Sequence, residues 1–124
     1  MAYGYLWATE LFSAIFSSRQ SFVQVVDSYL EQHYGEPVTL DEVALYMNTD
    51  KFSLCRRYMK ESKMTVMNKL KQLRIRKARS ILLYSDYSVE EVGNMCGFDS
   101  ASYFIKIFRE ETGVSPGKYR LKKT

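Results

Sequence analysis

A capped short helix, a turn and a second capped helix are written twice in this chain, about fifty residues apart, and no other feature restricts the fold as strongly. In the second copy, Ser88-Val89-Glu90-Glu91 has the spacing of a capping box, in which a Ser hydroxyl accepts from the third amide of the helix and a Glu reaches back. Val89 and Val92 point inward from the short helix that follows. Gly97 suits a left-handed turn position, Phe98 plugs the core beneath it, and Ser100 caps the next helix. There Tyr103, Phe104, Ile107 and Phe108 recur as a packing face, leaving Ala101, Ser102, Ile105, Lys106 and Arg109 outward.

The first copy follows the same plan. Thr39-Leu40-Asp41-Glu42 is a capping box that starts a short helix carrying Leu40, Val43, Ala44 and Met47. Asn48 falls at the turn, where Asn tolerates a left-handed backbone, and Asp50 caps a helix from Lys51 to Glu61. Leu54 and Tyr58 pack inward, and small Ala44 lets the two helices approach closely. Lys51, Phe52, Cys55, Arg56 and Lys60 face outward.

Between the copies, Thr65 caps a long helix to about Tyr84, with Val66, Leu70, Leu73, Ala78, Ile81, Leu82 and Leu83 as a changing apolar face. Its other side carries Lys69, Lys71, Arg74, Arg76, Lys77 and Arg79, so it reads as a spacer with a positive surface. Ahead of the first copy, a helix from about Ser21 to His33 presents Phe22, Val25, Val26, Tyr29 and Leu30, until Gly35 and Pro37 break it. Leu6 to Phe16 forms a short amphipathic helix striped by Trp7, Leu11 and Ile15, suited to packing or self-association. Ser115-Pro116 opens one last helix, in which Tyr119 packs backward while Lys118, Arg120, Lys122 and Lys123 face out.

No alternation is long enough for a sheet, so the chain is expected to be all-α: two helix-turn-helix subdomains joined by a long spacer helix, with an additional N-terminal helix. The expected boundaries are residues 1–20 for the N-terminal helix or linker remnant, 21–64 for the first subdomain, 65–84 for the connecting helix and 85–124 for the second subdomain. At 124 residues and 46% apolar content, a real core is within reach.

Charge is distributed unevenly. The interval from Lys51 to Arg79 holds eleven Lys and Arg against the single acid Glu61, an excess of ten; with a total of +4, the remainder carries minus six. A positive field over the middle of the molecule is what a phosphate backbone selects. A second interpretation also fits: a helical protein-interaction adaptor whose basic face meets an acidic partner. Binding to DNA is separated from it by steep salt dependence and a preferred duplex.

Other classes of function find little support. His33 is the sole imidazole and sits at a helix end, neither Cys has an acid or base partner, and Glu90 and Glu91 belong to a first helical turn, so no catalytic residues are expected. Cys55 and Cys96 with one His do not make a structural metal site, and no cofactor is expected. The two thiols read as free in a reducing cytoplasm, and neither a membrane span nor a secretory signal is evident.

Val92, Gly93, Cys96-Gly97-Phe98, Ser100, Ser102-Tyr103-Phe104, Phe108, Gly113, Ser115-Pro116 and Tyr119-Arg120 together resemble the DNA-binding domain of the AraC/XylS family of bacterial transcription regulators. The resemblance covers about Phe22 to Leu121. It extends to the first copy through Leu40, Val43-Ala44, Leu54, Arg56 and Tyr58, and to the spacer through Arg76, Ala78 and Leu82-Leu83. Departures occur where Lys63 and Asn48 replace common glycines and Tyr58 a common Phe.

The resemblance implies a sequence-specific regulator of double-stranded DNA, an activator that also touches RNA polymerase, working in the bacterial cytoplasm and on the nucleoid when bound. It implies major-groove reading by Lys51, Phe52, Cys55 and Arg56 in the first unit and by Ala101, Ser102, Ile105 and Lys106 in the second. Lys60, Lys71, Arg74, Lys77, Arg109 and Arg120 are candidate phosphate contacts. Relatives carry a further N-terminal domain for an effector or for dimerisation, and the opening helix suits either a small regulator or a fragment beginning in an interdomain linker.

Overall fold

The computed structural model describes residues 20–121, all helix and connecting turns. The elements are α1 (Phe22–His33), α2 (Leu40–Tyr46), α3 (Lys51–Ser62), α4 (Val66–Tyr84), α5 (Val89–Met95), α6 (Ala101–Thr112) and α7 (Pro116–Leu121). The amphipathic stripe from Leu6 to Phe16 lies outside the described residues.

Side-chain caps set most of the helix starts. Thr39, Asp50, Thr65, Ser88 and Ser100 accept from the amides of Glu42, Ser53, Asn68, Glu91 and Tyr103 at 2.9 to 3.2 Å. Each bond satisfies one of the amides that a helix start leaves without a partner. At Ser21 the box is reciprocal, because Gln24 also accepts from the Ser21 amide at 2.9 Å.

The two halves repeat down to single hydrogen bonds. The Thr49 amide donates to Ala44 O at 2.9 Å, and the Phe98 amide to Gly93 O at 3.0 Å. Asn48 and Gly97 occupy the same left-handed turn position, with φ of 61° and 89°. At the ends of α3 and α6, the Ser62 and Thr112 hydroxyls donate to Tyr58 O at 2.7 Å and Phe108 O at 2.8 Å. The turns differ in length: residues 47–50 separate α2 from α3, and residues 96–100 separate α5 from α6.

Two cores lie side by side along α4. Val26, Leu30, Val43, Leu54 and Tyr58 close the first over Val66, Leu70 and Leu73 of α4. Val92, Cys96, Phe98, Phe104, Ile107 and Phe108 close the second over Ile75, Ala78 and Leu82. Ile75 is thus a core residue the sequence pattern omits, and Ile81 and Leu83 are only half-buried. The helix changes the partner it faces within two turns, and a single apolar stripe cannot follow that change. Phe98, Phe104, Phe108 and Tyr119 run as an aromatic chain with ring centroids 5.0 to 5.7 Å apart, which ties α7 to the second core.

Candidate nucleic-acid interface

In each half the second helix turns one face to its core and the opposite face to solvent. Leu54 and Tyr58 anchor α3, and Phe104, Ile107 and Phe108 anchor α6. Helical periodicity then puts Lys51, Phe52 and Arg56 outside, Phe52 at 74% exposure, with Cys55 half-buried beside them. On α6, Ser102, Ile105 and Lys106 are exposed and Ala101 is half-buried. The eight residues form two quartets at equivalent positions: Lys51 matches Ala101, Phe52 matches Ser102, Cys55 matches Ile105 and Arg56 matches Lys106.

The start of α3 is organised by its cap. Asp50 accepts from the Ser53 amide and the Ser53 hydroxyl, both at 2.9 Å, and those bonds hold its carboxyl below the usual carboxylate range. Arg56 Nη2 lies 3.5 Å from Ser53 Oγ, so a short polar relay runs from the cap to the guanidinium. Lys51 Nζ rests 5.6 Å from the centre of the Phe52 ring. An exposed Arg whose fork is held only by one long bond to Ser53 can bridge O6 and N7 of a guanine, whereas Ile105 and Phe52 can only touch methyl groups. Ser53 was not among the sequence candidates. The Asp50-Ser53-Arg56 spacing of three residues is the signal that reveals it.

The basic residues divide into two kinds. Lys60 and Arg109 are exposed near the ends of α3 and α6. The other four have intramolecular partners. Lys71 pairs with Glu111 at 3.1 Å, and Lys77 pairs closely with Glu31, whose carboxyl is held low by that hydrogen bond. Arg74 donates from Nε to Tyr34 O at 2.8 Å and from Nη2 to Glu36 O at 2.9 Å. Arg120 Nε donates to Leu82 O at 3.0 Å. Their charge still contributes to the field over α4, but their head groups have structural work.

Tyr103, expected to pack, is half exposed on α6 and meets Phe98 at 6.1 Å between ring centres. It borders an open cleft of about 360 Å³ with Thr65, Asn68, Lys71 and Arg74. His33 Nδ1 lies 2.9 Å from Glu36 Oε2 at the end of α1, and Glu90 and Glu91 occupy the first turn of α5, where carboxylates favour the helix dipole. Among the described residues no cluster of His, Cys, Asp and Glu could hold a metal ion, and no helix is long and apolar enough to cross a membrane.

Two capped helix-turn-helix units sharing one long helix, each with a solvent-facing second helix, define a tandem helix-turn-helix DNA-binding domain. A family model described as a helix-turn-helix domain matches residues 43–122. The regulator Rns of Escherichia coli is 35% identical over 108 residues, 86% of this chain and 40% of Rns. The C-terminal domain of AraT, a response regulator from Geobacillus stearothermophilus, superposes with a TM-score of 0.79 at 29% identity, covering 84% of this chain and 88% of that one. The DNA-binding domain of AdpA, solved in complex with a target DNA, superposes at 0.77 with 27% identity, covering 83% and 93%. The chain belongs to the AraC/XylS family of transcription regulators and corresponds to its DNA-binding domain. It spans 27% to 40% of the length of the curated relatives it matches.

Proposed function

We propose that this domain reads an asymmetric DNA site as a monomer, inserting α3 and α6 into two successive major-groove segments. The observation that carries the reading is the pair of equivalent solvent-facing quartets, three of four members exposed in each, on helices whose opposite faces are locked into cores along the shared α4. The quartets have unlike chemistry, Lys-Phe-Cys-Arg against Ala-Ser-Ile-Lys, so the two zones should differ in sequence. Arg56 reads a guanine, Lys106 does similar work with a less rigid head, and Ile105 and Ala101 favour thymine methyls. Lys60 and Arg109 clamp phosphates, and the remaining α4 cations add attraction at longer range.

Groove segments one turn apart lie about 34 Å and roughly 10 base pairs from each other. A spacer helix of fixed length can require the duplex to bend toward it, adding discrimination through deformation energy. In the cell the domain acts in the bacterial cytoplasm as part of an activator that also touches RNA polymerase. A further domain for an effector or for dimerisation belongs to the same reading, supported by the length of the relatives.

Selection from random duplexes, followed by titration of the enriched site against scrambled DNA at two salt concentrations, tests it. One asymmetric site with two zones is expected, with Arg56→Ala relaxing one zone and Lys106→Ala the other. Equal binding to scrambled DNA would reject autonomous reading and favour the adaptor with a basic face.

A further inference from the structure

Where the first subdomain meets the second, the backbone comes unusually close. A Cβ on Gly35 would stand 2.7 Å from Met95 O, and one on Gly97 would overlap Tyr34 O and stand 2.8 Å from Arg74 Nε. Gly35 belongs to the turn after α1, whereas Met95 ends α5 and Gly97 belongs to the turn that follows it in the second helix-turn-helix. The Arg74 side chain lies across this seam. Arg74 extends from the middle of α4 and donates to the carbonyls of Tyr34 and Glu36, forty and thirty-eight residues away in sequence.

Its guanidinium is half-buried, which pulls its pKa down, and the nearby Asp99 of the second unit partly offsets this in favour of the charge. Tyr34 packs against both cores. Lys77, one turn further along α4, lies 5.5 Å from the centre of the Tyr34 ring and pairs with Glu31.

We infer that Arg74 is a positioning residue for DNA reading: by binding the Tyr34-Glu36 turn against the Gly97 turn, it fixes the placement of α3 relative to α6 and therefore the spacing of the two DNA zones. The inference rests on the two-zone reading for its DNA consequence, but the rigidity itself is a property of the free protein. A planar head with parallel donors can hold two carbonyls at once, and a Lys ammonium on a shorter reach cannot reproduce that fork. Two reading units joined rigidly at the matching span gain from high effective concentration, which falls steeply when the span is wrong.

The test uses the whole chain without DNA first. Nitroxide labels on the native Cys55 of α3 and on a cysteine introduced by Glu110→Cys on α6 report the distance between the recognition helices. Cys96 is fully buried and stays unlabelled under native conditions. Otherwise wild-type protein should give one narrow distance distribution. Arg74→Lys and Arg74→Met should each broaden it at least about twofold with helical circular dichroism unchanged.

Gly35→Ala is the second route to the same outcome. It removes neither a charge nor a hydrogen bond and should also displace or broaden the distribution. A distribution of wild-type width and position in Arg74→Lys and in Gly35→Ala would overturn the inference.

With the selected duplex, unlabelled wild-type protein should bind at least about tenfold more weakly when one base pair is inserted between the zones, whereas Arg74→Lys should treat the two spacings within about threefold. If Arg74→Lys instead keeps wild-type affinity and spacing preference, Arg74 acts through its charge on a phosphate and the inference fails. If the wild-type protein prefers no duplex, the two-zone reading fails while the spin-label result still decides the junction.

Discussion

Lys63 and Gly113 hold the same left-handed backbone at the ends of α3 and α6, with φ of 66° and 87°, and each amide donates back to the fourth carbonyl before it, Met59 O and Arg109 O. Glycine adopts that conformation without penalty, but a side chain crowds its own carbonyl there. Lys63→Gly should therefore raise stability by about 0.5 to 1 kcal/mol, the relief of strain exceeding the added freedom of the unfolded chain. Urea denaturation reads the change. A lower midpoint would mean that the Lys63 side chain makes a compensating contact.

Gly93 and Ala44 form a second unequal pair. A Cβ at Gly93 would lie 2.7 to 3.0 Å from the Phe104 side chain, while the equivalent Ala44 sits buried in the core that holds Leu54. Gly93→Ala should cost about 1 to 3 kcal/mol by overpacking. Combined with Phe104→Leu, which copies the Ala44/Leu54 pair, the loss should be less than the sum of the two single changes. A double-mutant cycle by denaturation gives the coupling, and additive losses would rule out the proposed clash.

The Cys96 thiol is buried in the second core, which pushes its pKa up to about 11 from an ordinary 9.0. The folded state keeps the proton longer than the unfolded chain does. Its contribution to stability is thus complete below pH 9 and is lost as pH rises from about 9 to 11, on the order of 2 kcal/mol in all. Cys96→Ala should flatten that part of the pH profile relative to wild type in chemical denaturation. At pH 8, mass spectrometry after brief alkylation should find Cys55 modified well before Cys96.

The Tyr58 hydroxyl donates to Asp27 Oδ1 at 2.6 Å at the edge of the first core. Removing it leaves Asp27 one partner short, although Lys69 Nζ remains 3.9 Å away. Tyr58→Phe should cost about 0.5 to 1.5 kcal/mol in thermal or urea unfolding. An unchanged or raised stability would show that water replaces the lost bond fully at this half-buried carboxylate.

Lys60 and Arg109 should act on affinity without acting on sequence choice. Replacing either with Gln should lower the slope of log K against log salt by about 0.9 and weaken all duplexes alike. Titrations of matched and scrambled duplexes at several salt concentrations measure both quantities. A change in the preferred sequence would move that residue into the base-reading set.

Much of the fold is legible in the sequence because its signals are local. A Ser, Thr or Asp three residues before the amide it accepts from marks a helix start without knowledge of any distant contact, and Thr39, Asp50, Thr65, Ser88 and Ser100 all do so. The left-handed positions at Asn48 and Gly97 are similarly local, whereas Lys63, also left-handed, shows that position in the repeat can outrank residue type.

The duties of the basic residues are harder to read. Composition alone gives Lys71, Arg74, Lys77 and Arg120 the same role as Lys60 and Arg109. Which ones find a carboxylate or carbonyl depends on elements such as α1 and α7 meeting α4 from far away in the chain. Ile75 is hard to read for a related reason: it starts the stripe Ile75, Ala78 and Leu82 that faces the second core, offset from the Val66, Leu70 and Leu73 stripe that faces the first.

The nineteen residues of α4 carry a constraint of a different kind. Each residue in a helix adds 1.5 Å of rise and about 100° of rotation, so a single insertion between Leu73 and Ile75 would swing one recognition helix far around the axis relative to the other. Substitutions on the outer side of α4 are mild by comparison. On the proposed two-zone reading, the number of letters between Thr65 and Ser85 is as much a part of target choice as the letters on α3 and α6, and natural variation should spare that count while freely editing the text.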